Sequence, residues 1–176
     1  TGDVYYTTQA EIDNFIATYP NCTQIGGKLQ LGVDLSTPNN INNVSAFSNI
    51  VSVGGDLIIY SSQLTNLNGF SSITSIAGHL DISKNSQLID ISGVQNINIA
   101  GITHLYIEQN TSLSSCNIEN VCSYIQIPEN YRLIYGNATG CENSEAVVYD
   151  CIPPCELPSN ITVSNILANK ATINWT

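Results

Sequence analysis

Four segments of the chain carry the same short pattern at a near-constant spacing. They are Gly27-Lys28-Leu29-Gln30-Leu31, Gly55-Asp56-Leu57-Ile58-Ile59, Gly78-His79-Leu80-Asp81-Ile82 and Thr103-His104-Leu105-Tyr106-Ile107. Their first apolar residues, Leu29, Leu57, Leu80 and Leu105, are 28, 23 and 25 residues apart. A period in the twenties is that of a stacked-coil protein, in which each repeat buries its inner face only against its neighbours. The long first step has a visible source, an insertion from Gly32 to Asn40 around Thr37-Pro38-Asn39-Asn40.

The match continues beyond the strand. Leu64 and Leu67 answer to Leu88 and Ile91, and Phe70 answers to Val94, with Gly69 and Gly93 just before them. Ile73 and Ile76 answer to Ile97 and Ile99. Three apolar clusters per repeat imply up to three short strands per coil, with corners between them. Stacking then sets Leu57 over Leu80 and Leu80 over Leu105. Asn85 and Asn110 fall at one corner, where an inward amide can satisfy free backbone groups of the next coil. The second repeat lacks that Asn and is one residue shorter there.

Composition agrees with this reading. Ile occurs 24 times and Asn 22 times. The first suits a pleated surface and the second suits tight turns. Only 10% of residues are charged and the net charge is −10. Such a chain repels nucleic-acid phosphates and anionic membrane surfaces, and no apolar run reaches the roughly 20 residues of a membrane span. The expected partners therefore exclude nucleic acid and membrane insertion.

The flanks differ from the repeat. Val4-Tyr5-Tyr6 reads as a strand. Thr8 then N-caps a helix, with Glu11 completing a capping box; Ile12, Phe15 and Ile16 recur at helical spacing until Pro20. Residues 1–22 thus form a strand-helix cap on solenoid repeats 23–115. Cys116, Cys122, Cys141 and Cys151 mark a cysteine-rich cap over 116–151, with short helices at 117–125 and 142–149 and a strand at 131–135. Four cysteines allow three pairings. Cys22 and Cys155 remain, and Cys22 is expected to pair with a residue upstream of Thr1. Six cysteines in this length indicate an oxidising compartment, so the chain is expected to be secreted or displayed at the cell surface. Glycosylation acceptor patterns occur at Asn43, Asn110 and Asn137, which an Asn-rich chain generates by chance. Residues 152–158 are a proline-rich linker, and 159–176 alternate like two strands around a turn at 168–170.

The register I-x-G-x-L-x-I … L-x-x-L-x-G, with Gly2-Asp3-Val4, Gln9-Ala10-Glu11-Ile12-Asp13 and Tyr19-Pro20-Asn21-Cys22-Thr23, resembles receptor L-like domains of exported proteins from Bacteroidetes-type bacteria. These are distantly similar to the L domains of insulin and growth-factor receptors. The resemblance covers roughly residues 2 to 151. It implies a mainly β fold, a short right-handed parallel β-solenoid of about four coils with an N-terminal helix cap and a disulfide-stapled C-terminal cap. By analogy with leucine-rich-repeat caps it implies the pairs Cys116–Cys141 and Cys122–Cys151. The tail from Leu157 to Thr176, with Trp175, looks like the first two strands of a fibronectin type III domain. In such bacterial proteins a type IX sorting signal often follows.

No catalytic constellation is visible. G-x-S-x-G and H-E-x-x-H are absent, and the paired glycines open no helix. His79 and His104 hold equivalent positions in successive repeats, but no third ligand has suitable spacing, so no metal or cofactor is expected. The candidate site is the outer face of the apolar-x-apolar strands, where Ile58, Tyr60, Asp81, Tyr106 and Glu108 project as an apolar-aromatic patch beside carboxylates. The functional reading is a non-enzymatic binding or adhesion module of a larger protein, recognising a protein or glycan. The alternatives are a structural spacer or self-assembling subunit, and an accessory domain of a secreted enzyme.

Overall fold

The computed structural model describes residues 2–33, 39–152, 162–167 and 170–174. Two parallel sheets run side by side along the chain. The larger has the order β1-β3-β5-β7-β8-β9, formed by Val4–Tyr6, Leu29–Leu31, Leu57–Tyr60, Gly78–Ser83, Ile102–Glu108 and Tyr131–Tyr135. The smaller has the order β2-β4-β6, formed by Gln24–Ile25, Ser52–Val53 and Ser75–Ile76. Leu29 pairs with Leu57, Leu57 with Leu80 and Leu80 with Leu105. The repeated leucines therefore stack as one column, and all four are fully buried. The next inward column is Leu31, Ile59, Ile82, Ile107 and Ile134. Each such side chain contributes about 1.5–3 kcal/mol by leaving water, which no single coil obtains alone.

The apolar cluster around Phe70 and Val94 forms no strand. It forms 3-10 turns at Ser45–Phe47, Asn68–Phe70 and Ser92–Val94. The cause is local: Asn43, Asn66 and Asp90 each accept a hydrogen bond from the backbone N–H two residues on, at 2.8, 3.1 and 2.8 Å. That contact bends the backbone into a turn before a strand can start. Phe47 stacks on Phe70 with ring centroids 5.6 Å apart. The coils approach so closely here that a Cβ on Gly93 would overlap the Leu67 carbonyl, and one on Gly69 the Val44 carbonyl. At the same place in the first repeat, which has no earlier 3-10 turn beneath it, the residue is Ala46. Ile99 also departs from expectation. It does not extend the smaller sheet after Ile76 but lies in a further 3-10 turn, Ile99–Gly101.

Each large-sheet strand from β3 to β9 ends on a left-handed residue: Gly32, Ser61, Lys84, Gln109 and Gly136. Non-glycine residues pay roughly 1–2 kcal/mol for that conformation. An amide ladder just inside the corner holds them there. Asn110 donates Nδ2–H to the Ile82 carbonyl at 2.8 Å and accepts from the backbone N–H of Asn85 at 3.0 Å. Asn137 repeats the contact one coil on, donating to Ile107 O at 2.8 Å and accepting from Asn110 N–H at 2.9 Å. Asn85 accepts from the Ser62 backbone at 2.9 Å, so a serine ends the ladder where the second repeat is short. Asn110 and Asn137 spend their Nδ2 groups in this ladder, and Asn110 is fully buried. Neither presents a free amide for a glycan.

The helix α1, Gln9–Thr18, starts at the Thr8–Glu11 capping box and packs Phe15 on Phe47 at 5.1 Å. Glu11 has its pKa lowered, first by the Thr7 backbone N–H and also by Thr8. At the other end α2, Glu119–Ile125, and α3, Ser144–Cys151, flank β9. Both start two residues later than the sequence suggests. Disulfides join Cys116 to Cys141 and Cys122 to Cys151, as the resemblance implied. Cys22 is the free cysteine among the described residues. It lines a recess of about 270 Å³ with Tyr5, Tyr6, Phe15 and Tyr19. Two further strands, β10 (Thr162–Leu167) and β11 (Lys170–Asn174), pair antiparallel. The linker beyond Ile152, with Cys155, and Trp175 lie outside the described residues.

Candidate binding face

Side chains alternate across a strand, so the residues between the buried leucines and isoleucines stand on the opposite, outer face of the large sheet. Pairing sets them in rows. One row runs Tyr5, Gln30, Ile58, Asp81, Tyr106, Leu133 from β1 to β9. A second runs Tyr60, Ser83, Glu108, Tyr135 from β5 to β9. A third lies two residues before the first and holds His79, His104 and Tyr131 on β7, β8 and β9.

All five residues expected on this face are there. They do not form the patch expected of them. Ile58 and Tyr60 on β5 are separated from Tyr106 by the Asp81–Ser83 stretch of β7, two strands and about 10 Å away. The Tyr60 ring instead faces Lys84, whose Nζ lies 5.0 Å from its centroid. The aromatic cluster forms one strand further on. His79 and His104 meet edge to face at 4.5 Å, and His104 and Tyr106 lie parallel within 6° at 6.1 Å. Tyr131 closes the group at 4.9 Å from His104 and 5.9 Å from Tyr106. His79 Nδ1 is tied to Thr103 Oγ1 at 3.1 Å. His104 Nδ1 is buried with no hydrogen-bond partner among the described residues, and its ring packs among His79, Tyr106 and Tyr131.

Carboxylates border the rings. Asp56 forms an ion pair with Lys28 at 3.2 Å and accepts from the His79 backbone N–H at 2.9 Å. Burial alone would raise its pKa; these contacts outweigh burial and lower it. Asp81 is the opposite case. Burial raises its pKa and the Glu108 charge adds to that, while the hydrogen bond donated by the Ser83 hydroxyl only partly offsets them. The Glu108 carboxylate beside Tyr135 raises the pKa of that phenol, because deprotonation would set two anions together. Among the described residues, no group of three or more His, Cys, Asp or Glu side chains could hold a metal ion, and no helix is long and apolar enough to cross a membrane.

Tyr131, Leu133 and Tyr135 are the residues the repeat pattern missed. They stay 51%, 38% and 41% exposed, making β9 the most apolar outer strand. The strand lacks the Leu-x-Leu or Leu-x-Ile pair that marks β3, β5, β7 and β8, having Arg132 where they have leucine. A different signal does mark it, the spacing Ile-x-x-Asn at Ile82–Asn85, Ile107–Asn110 and Ile134–Asn137. That spacing aligns the β9 corner with the two before it and fixes which residues of Tyr131-Arg132-Leu133-Ile134-Tyr135 point out.

The comparisons with known proteins give one match. A family model described as the receptor L domain fits residues 21–145. No curated protein and no solved structure matches the chain.

Proposed function

The chain belongs to the receptor L domain family, and on that premise we propose that it is a non-enzymatic binding module that recognises a protein or glycan through the outer face of the large sheet. Receptor L domains are non-catalytic ligand-binding modules of receptors. Their setting, with two disulfides here, fits an extracellular domain. We read the fold as about four coils between two caps. The hairpin β10–β11 is read as the opening of a fibronectin type III domain in a longer surface protein.

One observation carries the reading. The inner face of the sheet is filled by its own coils, whereas the outer face of β7, β8 and β9 sets tyrosines, imidazoles and carboxylates side by side with nothing packed over them among the described residues. Tyrosine is enriched at recognition surfaces because one rigid ring offers both apolar area and a hydrogen-bonding tip. Fluorescently labelled chain bound to cells of its source tests this. The Tyr60→Ala/Tyr106→Ala variant should lose most of the bound signal, and Tyr149→Ala, on α3 and away from the face, should keep it. Undiminished binding by the double variant refutes the face.

A further inference from the structure

The rows on the outer face differ in how their charges are compensated. Toward the N-terminal side, Asp56 has its lysine. The carboxylates of Asp81 and Glu108 lie on neighbouring strands, diagonal to each other across the Ser83 position, and repel. Asp81 is half buried between Ile58 and Tyr106. Among the described residues it receives one hydroxyl hydrogen bond, from Ser83, and no ion pair within 4.0 Å. A partly dry carboxylate with a second anion beside it gains from a cation, more than a fully hydrated one does. The rings next to it suit the same visitor, since lysine and arginine bind tyrosine faces and arginine also forks onto carboxylates.

We propose that the outer face of β7, β8 and β9 docks a cationic protein surface, with a lysine or arginine of the partner seated between Asp81 and Glu108 beside the Tyr106 ring. Tyr131, Leu133 and Tyr135 supply the apolar ground around that contact. This rests on the face being the binding face and adds the chemistry of the partner. Charge decides against other occupants. A second copy would bring another net −10 chain with only four lysines and arginines, and Lys28 is already engaged with Asp56. Sulfated or sialylated glycans and anionic lipid are repelled for the same reason. A neutral glycan is not repelled, but it leaves the Asp81–Glu108 repulsion in place.

The test is selection of random twelve-residue peptides displayed on phage against the full chain, followed by affinity measurement on synthetic copies. Peptides enriched in Arg and Lys together with aromatic or aliphatic residues are expected. Their affinity should fall at least about tenfold on the Asp81→Asn/Glu108→Gln variant. That variant still carries −8, two charges fewer than −10, so diffuse attraction survives in it and only the local seat is lost. Circular dichroism melting of the variant guards against misfolding. Cationic peptides that bind both forms equally overturn the proposal, as does selection without cationic enrichment. A third probe, Tyr106→Ala/Tyr131→Ala, separates the two levels. Neutral peptides or cellohexaose that bind the wild type and lose affinity on this variant refute the cationic partner and keep the face. Selected peptides indifferent to every one of these variants refute the face as well.

Discussion

Leu80 and Asp81 are consecutive residues of one strand, and they face different worlds. Leu80 lies at the centre of a column that continues through four strands and is wholly excluded from water. Asp81 lies in a row whose members are Tyr5, Gln30, Ile58, Asp81, Tyr106 and Leu133. The inner column is nearly uniform because every coil must satisfy the same neighbour above and below. The outer row varies because no coil depends on it. Uniformity here marks what the fold requires, and variety marks where a surface is free to be shaped for something else.

Substitutions on the two faces should separate sharply. The largest effect is expected from Leu80→Ala, which opens a cavity inside the column and should cost about 3–4 kcal/mol in urea unfolding. A loss under about 1 kcal/mol would mean that the coils do not pack as one core. The opposite sign is expected next door. The folded-state pKa of Asp81 lies above its unfolded value, so ionising it costs the folded state stability at every pH above that raised value. The cost fades as pH falls through the folded pKa and is gone below the unfolded one. Asp81→Asn should therefore unfold at a slightly higher urea concentration than the wild type at pH 7, and the gap should close toward about pH 4. If Asp81 seats a cation as proposed, the same substitution lowers binding while it raises stability. A gap that widens on acidification would contradict the assigned burial.

Much of the inner face was readable from the chain. The Leu-x-Ile pairs give the stacking and the register, and Thr8 with Glu11 gives the start of α1. The 3-10 turns were not readable as such, because apolar periodicity reports that Phe47, Phe70 and Val94 are buried and not how their backbone runs. The deciding contacts are the Asn43, Asn66 and Asp90 side chains bonding two residues ahead. The candidate face is half legible. Parity along each strand places Ile58, Tyr60, Asp81, Tyr106 and Glu108 outward, but their mutual distances depend on strand order. The repeat pattern omits β9 and so sets the expected patch toward β5, whereas the rings gather on β7, β8 and β9.

The tyrosines of the chain are natural probes for its central claim, because they are spread over the face and away from it. Tetranitromethane nitration, read by mass spectrometry on free chain and on chain bound to source cells, compares them in one experiment. Tyr149 is 79% exposed and Tyr19 is 49% exposed, and both lie off the face. Binding through the outer sheet predicts that Tyr106, Tyr131 and Tyr135 become protected while Tyr19 and Tyr149 react as before. Protection of Tyr19 or Tyr149 with the three face tyrosines still reactive would place the binding surface elsewhere and contradict the account.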